Sequence, residues 1–152
     1  MVKTWDLEFP CYVEYDPESR TYGGFCRGAP VYVGGKASRE EAIRALSEGL
    51  AYYLAHLEVE GKPLPRPPEE AEDEEGLELL YLKPAPVNPV SLEIERLMKR
   101  RGLTRSELAR RLGVSPSAVT RILDPLYFGH SLATLRRVAE ALDSELEVHF
   151  VP

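Results

Sequence analysis

The chain has 152 residues, 43% of them hydrophobic, with two cysteines and a formal net charge of −6. That apolar content suffices for one packed domain or two small ones, and two cysteines are too few for a disulfide framework. No apolar run reaches the length of a membrane span and residues 1–6 lack signal-peptide character, so a cytoplasmic protein with no membrane partner is expected.

From Trp5 to Tyr15 the apolar Trp5, Leu7, Phe9, Cys11, Val13 and Tyr15 alternate with Asp6, Glu8, Pro10, Tyr12 and Glu14. This period of two predicts a half-buried strand, bent or at a sheet edge near Pro10. Residues 16–20 read as a turn, and 22–27 return as the second strand of a hairpin. Setting Tyr15 opposite Tyr22 places Cys11 opposite Cys26; in a reducing cytoplasm these are expected as buried thiols, with a disulfide or redox switch as the lesser alternative. Residues 31–33 form a third short strand, ended by Gly34 and Gly35. Ser38 and Glu41 make a capping box for a helix running to about Glu60, with Ile43, Leu46, Leu50, Leu54 and Leu57 on one face and Gly61 as its stop. Residues 62–76, with four prolines and six acids, predict an extended, solvated segment. A fourth strand follows at 77–82, completing a small sheet with one covering helix.

The proline-rich residues 84–89 read as a linker between a domain at 1–83 and another at 90–152. Charge divides along nearly the same line: residues 1–86 hold nine basic and seventeen acidic side chains, residues 87–152 ten and eight. An acidic front domain and a mildly basic back domain point to separate partners.

In the back domain, residues 91–101 predict a helix with Ile94, Leu97 and Met98 inward. Thr104 and Glu107 form a second capping box, Leu108, Ala109 and Leu112 fall on one face, and Gly113 closes that helix. Ser115 caps the next helix with Pro116 at its first position, where a missing N–H costs nothing. Val119 and Ile122 point inward, leaving Ser117, Ala118, Thr120 and Arg121 outside. Two short helices joined this tightly make a helix-turn-helix that offers its second helix to a DNA major groove. A last helix opens at Ser131 with Leu132, Leu135, Val138, Ala139 and Leu142 inward, giving an all-α domain that resembles the Cro and phage-repressor type. Within it Arg121 is the candidate for guanine, Ser117 and Thr120 for base edges or phosphates, and Arg105 and Ser106 for phosphates at a helix N-terminus. Ser115, Pro116 and Ala118 complete the DNA-facing set. Residues 146–151 alternate like a strand without a partner in its own domain. Leu146, Val148 and Phe150 are therefore expected to pair with a second chain, giving a homodimer or higher even-numbered oligomer.

The runs EYDPESRTYGGFCRG and SREEAIRALSEGLAYYLAHLEVEGKPLPRPP, with Glu40-Glu41-Ala42 and Gly61-Lys62-Pro63-Leu64-Pro65, resemble the HicB antitoxins. The run RILDPLYFGHSLATLRRVAEALDSELEV is similar to the back domain of that family. Where the family has a P-D-L-P-G-like loop before the helix, this chain has Gly28-Ala29-Pro30-Val31-Tyr32-Val33. The resemblance implies an α+β protein whose front domain is a partial ribonuclease-H-like fold that neutralises a small HicA-like toxin, a ribonuclease that cleaves messenger RNA. It further implies a back domain that binds operator DNA and represses the shared operon.

Catalysis by the front domain needs carboxylates converging on metals, whereas Asp6, Glu8, Glu14 and Asp16 crowd one strand with no later partner. His56, His130 and His149 are scattered without ligand spacing. No enzyme activity, catalytic residue, metal site or cofactor is expected. The competing expectation is a stand-alone transcriptional regulator whose front domain senses a small ligand.

Overall fold

The computed structural model describes residues 2–152, so Met1, where the front domain was expected to start, lies outside the described residues. The chain divides into two compact units, one ending at Val87 and the other spanning Asn88–Pro152. The first is α+β: β1 (Phe9–Asp16), β2 (Thr21–Cys26), β3 (Tyr32–Lys36), α1 (Arg39–Val59) and β4 (Glu78–Leu82). The four strands form one antiparallel sheet in the order β3-β2-β1-β4.

The hairpin register is the one the tyrosines set: Tyr15 faces Tyr22 and Cys11 faces Cys26. The alternation beginning at Trp5 misleads in two ways. Regular pairing starts only at Phe9, and β1 lies inside the sheet, between β2 and β4, with Phe9 through Val13 all buried. Pro10 is tolerated because its carbonyl accepts from Arg27 N–H at 2.9 Å, just beyond the last residue of β2. In an antiparallel pair a residue's N–H and C=O point to the same neighbour, so the donor that proline lacks falls at the end of the ladder.

One face of the sheet packs on α1. Ser38 accepts from Glu41 N–H at 3.1 Å to open this helix, and Leu46, Leu50 and Leu54 are fully enclosed. Each such leucine stabilises the fold by roughly 2 kcal/mol through burial. Ala42, Ala51 and Ala55 are buried as well, while Ile43 is only half-buried; the helix is set closer to the sheet by small residues than the leucine stripe implied. The opposite face carries Tyr12 stacked on Phe25, with ring centroids 5.1 Å apart. Residues 67–74 lie over it. The Tyr12 hydroxyl donates to the Glu72 carbonyl, Arg27 pairs with Glu74 at 2.5 Å, and Pro68 packs against Gly28. The acidic, proline-rich segment is therefore a cover for the sheet and not a free tether, because Tyr12 and Phe25 would otherwise face water.

The second unit is helical: α2 (Pro89–Arg100), α3 (Arg105–Leu112), α4 (Pro116–Leu123) and α5 (Leu132–Ala141). The expected linker at 84–89 is divided between the two units. Ala85 N–H donates to Ser47 O at 3.0 Å and Val87 exchanges backbone hydrogen bonds with Lys3, while Asn88 caps α2 through Val90 N–H. Leu132, expected inward, is 48% exposed, and the inner face of α5 is carried by Val138 and by Leu142 just beyond it. Residues 146–151 form no strand in the single chain, where no edge is offered to them, and Phe150 is wholly exposed. Among the described residues no helix is long and apolar enough to cross a membrane.

At Gly49 α1 passes close to Val31, since a Cβ there would stand 2.7 Å from a Val31 methyl. Gly49→Ala gains about 1 kcal/mol of helix propensity but forces a clash costing about 1–3 kcal/mol. Thermal unfolding should show a net loss for Gly49→Ala alone, and no loss when Val31→Ala is added.

Candidate nucleic-acid interface

The helical unit is built around Ile94, Met98, Leu103, Leu108, Leu112, Val119, Ile122, Val138 and Leu142, all buried in one cluster. Within it the tight pair α3–α4 forms as its sequence requires. Thr104 Oγ1 accepts from Glu107 N–H at 3.1 Å. Gly113 takes φ of 67°, which a side chain would strain, and Val114 N–H then returns to Ala109 O at 3.0 Å. Ser115 Oγ accepts from Ala118 N–H at 3.2 Å, with Pro116 at the first helical position.

The C-terminal end of α4 is fastened by side chains that the sequence pattern did not single out. Ser91 Oγ, fully buried on α2, donates to Ile122 O at 3.0 Å and lies 3.2 Å from Asp124 O. His130 Nε2 lies 2.7 Å from the same Ile122 carbonyl, so it must be the donor there. Its Nδ1 then accepts from Asn88 Nδ2 at 3.1 Å, and Asn88 Nδ2 also lies 3.2 Å from Tyr127 O. These contacts fix the last turn of α4 against α2 and the loop that follows.

Of the expected DNA-facing residues, Ser115, Pro116, Ser117, Thr120 and Arg121 are exposed along one side of α4, opposite the buried Val119 and Ile122. Ser115 uses its hydroxyl as the helix cap, and Thr120 donates its hydroxyl to Pro116 O at 3.1 Å, leaving oxygen lone pairs to accept. Ala118 is half-buried. It lines a cleft of about 200 Å³ between α4 and α5, together with Arg121, Tyr127, His130, Thr134 and Arg137. The Arg121 guanidinium stands 5.9 Å from the Tyr127 ring centroid, which steers the side chain without neutralising it. Arg137 is a cation the motif reading missed, since it lies a helix away from the turn; it donates to Leu112 O at the end of α3. Ser106 is exposed at the start of α3. Arg105 beside it is not free, because it pairs with Glu95 at 2.7 Å. Among the described residues no group of three or more His, Cys, Asp or Glu side chains is placed to hold a metal ion.

This arrangement presents one short helix edge with hydroxyls and a guanidinium, backed by a packed helix and rimmed by cations. A family model for the helix-turn-helix matches residues 94–123, from the middle of α2 to the end of α4. No curated protein matches the chain. Residues 94–123 thus form a helix-turn-helix of the kind that DNA-binding transcription regulators carry, joined in this chain to an α+β unit with its own core.

Arg121→Ala should weaken binding to the cognate operator by about 1–3 kcal/mol and narrow the gap between operator and random DNA, read by fluorescence anisotropy on both duplexes. Ser91→Ala removes a buried hydrogen bond whose acceptors, Ile122 O and Asp124 O, keep His130 Nε2 and Tyr127 N–H as donors, and should cost about 0.5–1.5 kcal/mol of stability, read by thermal unfolding.

Proposed function

We propose that this chain is the antitoxin of a HicA/HicB-type toxin–antitoxin pair. Its α+β unit, read as a partial ribonuclease-H-like fold, binds and silences a small mRNA-cleaving toxin, and its helix-turn-helix represses the operon that encodes both. The observation that carries the DNA half of this reading is the exposed Ser117–Arg121 edge of α4, held by a cap at each end and opposed by a buried Val119 and Ile122.

The toxin half is supported by charge. Residues 1–86 carry seventeen acids against nine bases, and Glu14, Asp16 and Glu18 are exposed around the β1–β2 turn. A toxin that grips RNA presents cations, and opposite potentials speed and orient such an encounter. The protein acts here by binding alone, without a catalytic residue, metal or cofactor of its own, in the cytoplasm where messenger RNA and operator DNA lie.

The DNA-binding form is read as a homodimer or a higher even-numbered oligomer. The tail supports this: Val148, Phe150 and Val151 are 57%, 100% and 88% exposed, whereas Leu146 lies against the α2–α5 groove. Of these, Val148 and Phe150 lie on alternate residues, and the same segment of a second chain covers them and supplies the missing strand edge. Sedimentation at micromolar concentration should show a dimer that Phe150→Asp dissociates, with operator affinity falling at least tenfold while the folded circular-dichroism signal stays. A monomeric parent chain would refute the dimer.

Co-expression with a short basic protein encoded beside this chain tests the toxin reading. The two should purify together, and the chain should restore growth to cells arrested by that neighbour. Failure to co-purify and to restore growth, with operator binding intact, would leave a regulator without a toxin.

A further inference from the structure

Cys11 and Cys26 are Cα partners in the β1–β2 register, and their sulfurs lie 2.6 Å apart, with the Cys11 thiol donating to Cys26 Sγ. The pair is of the non-hydrogen-bonded kind. Cys26 N–H points away from β1, to Val31 O at 2.8 Å, and the neighbouring bond runs from Arg27 N–H to Pro10 O. Such pairs hold their Cα atoms about 4.5 Å apart, within the roughly 4.4–6.8 Å that a disulfide spans. Cys11 is fully enclosed and Cys26 is 7% exposed, so no bulky thiol reagent reaches either. Both are free thiols, and no metal-ligating cluster forms around them among the described residues.

We propose that Cys11 and Cys26 are an oxidation site at which hydrogen peroxide converts the two thiols into a cross-strand disulfide. Cys26 is the sulfur that reacts first, being the nearer to solvent and the acceptor of the Cys11 thiol proton. The Cys26 thiol gives up its proton and the thiolate attacks one peroxide oxygen. The O–O bond breaks, Cys26 becomes a sulfenic acid, and the departing hydroxide takes up that proton to leave as water. Cys11 Sγ then attacks the Cys26 sulfur; the S–O bond breaks and hydroxide leaves with the Cys11 thiol proton as a second water. Two thiols are oxidised by two electrons in total and one peroxide is reduced to two waters. The hydrogen bond to Cys26, and after it burial, hold the Cys11 thiol well above the usual thiol range, which keeps it protonated until the sulfenic acid stands beside it.

The placement gives the bond a mechanical role. Pro10 withholds a ladder donor at this end of the hairpin, and a covalent link one residue away closes what the backbone leaves loose. Because the link ties β1 to β2 across the turn, it restricts the unfolded chain and should raise the melting temperature on the order of 10 °C.

The experiment treats the full-length folded protein with hydrogen peroxide, quenches it with catalase, unfolds it, alkylates it with iodoacetamide and weighs it. The expected product is a monomer lighter by two hydrogens that takes no alkyl group, melts higher, and returns to two alkylatable thiols after reduction. In Cys11→Ser, or in Cys11→Ala if the serine variant does not fold, the sulfenic acid on Cys26 should persist and be captured by dimedone added as the quenched protein is unfolded. Two alkylated thiols after treatment, sulfinic acids without a disulfide, or a disulfide between two chains would each overturn the assignment.

Discussion

Helices as short as α3 and α4 leave about half of their backbone polar groups without partners inside the helix. Each has eight residues, and a helix leaves four N–H groups at its start and four carbonyls at its end unsatisfied. Their existence therefore depends on what surrounds their ends. Thr104 and Ser115 take N-terminal donors, Gly113 turns the chain so that Val114 returns to α3, and Arg137 closes on Leu112 O. Ser91 and His130 then converge on Ile122 O at the far end of α4. The exposed edge of α4 is held in place by donors and acceptors from three other parts of the unit.

Local capping chemistry was written plainly in the chain, and the helix-turn-helix was legible for that reason: a hydroxyl, a glutamate three residues on, a glycine and a proline act on neighbours in sequence. The hairpin register was legible on similar grounds, through two facing tyrosines beside a short turn. Partners distant in sequence left no periodic trace. Asn88 looked like part of a proline-rich spacer, yet it caps α2 and holds His130, forty-two residues away. The acidic segment read as solvated because its composition is that of a tether; only the three-dimensional position of Tyr12 and Phe25 shows why it is held down. Leu132 matched the helical period and still faces water, since α5 is packed on one narrow stripe.

Charge and architecture divide this protein in the same place. The acidic excess belongs to the unit with the sheet, and the exposed guanidinium edge belongs to the helical unit. Each unit has its own buried cluster, so one surface can change with its partner without disturbing the core beneath the other.

The ion pair between Arg105 and Glu95 has a consequence for the energetics of DNA docking. An unpaired arginine that meets a phosphate frees a condensed cation from the duplex, and that release drives binding at low salt. Arg105 must first leave a carboxylate, which then gathers a cation of its own from solution. Were Arg105 to dock on a phosphate, ion release at this position would be partly cancelled, and the steepness of affinity against ionic strength would undercount the phosphates touched. The same exchange would cost Arg105 part of its attraction to any polyanion.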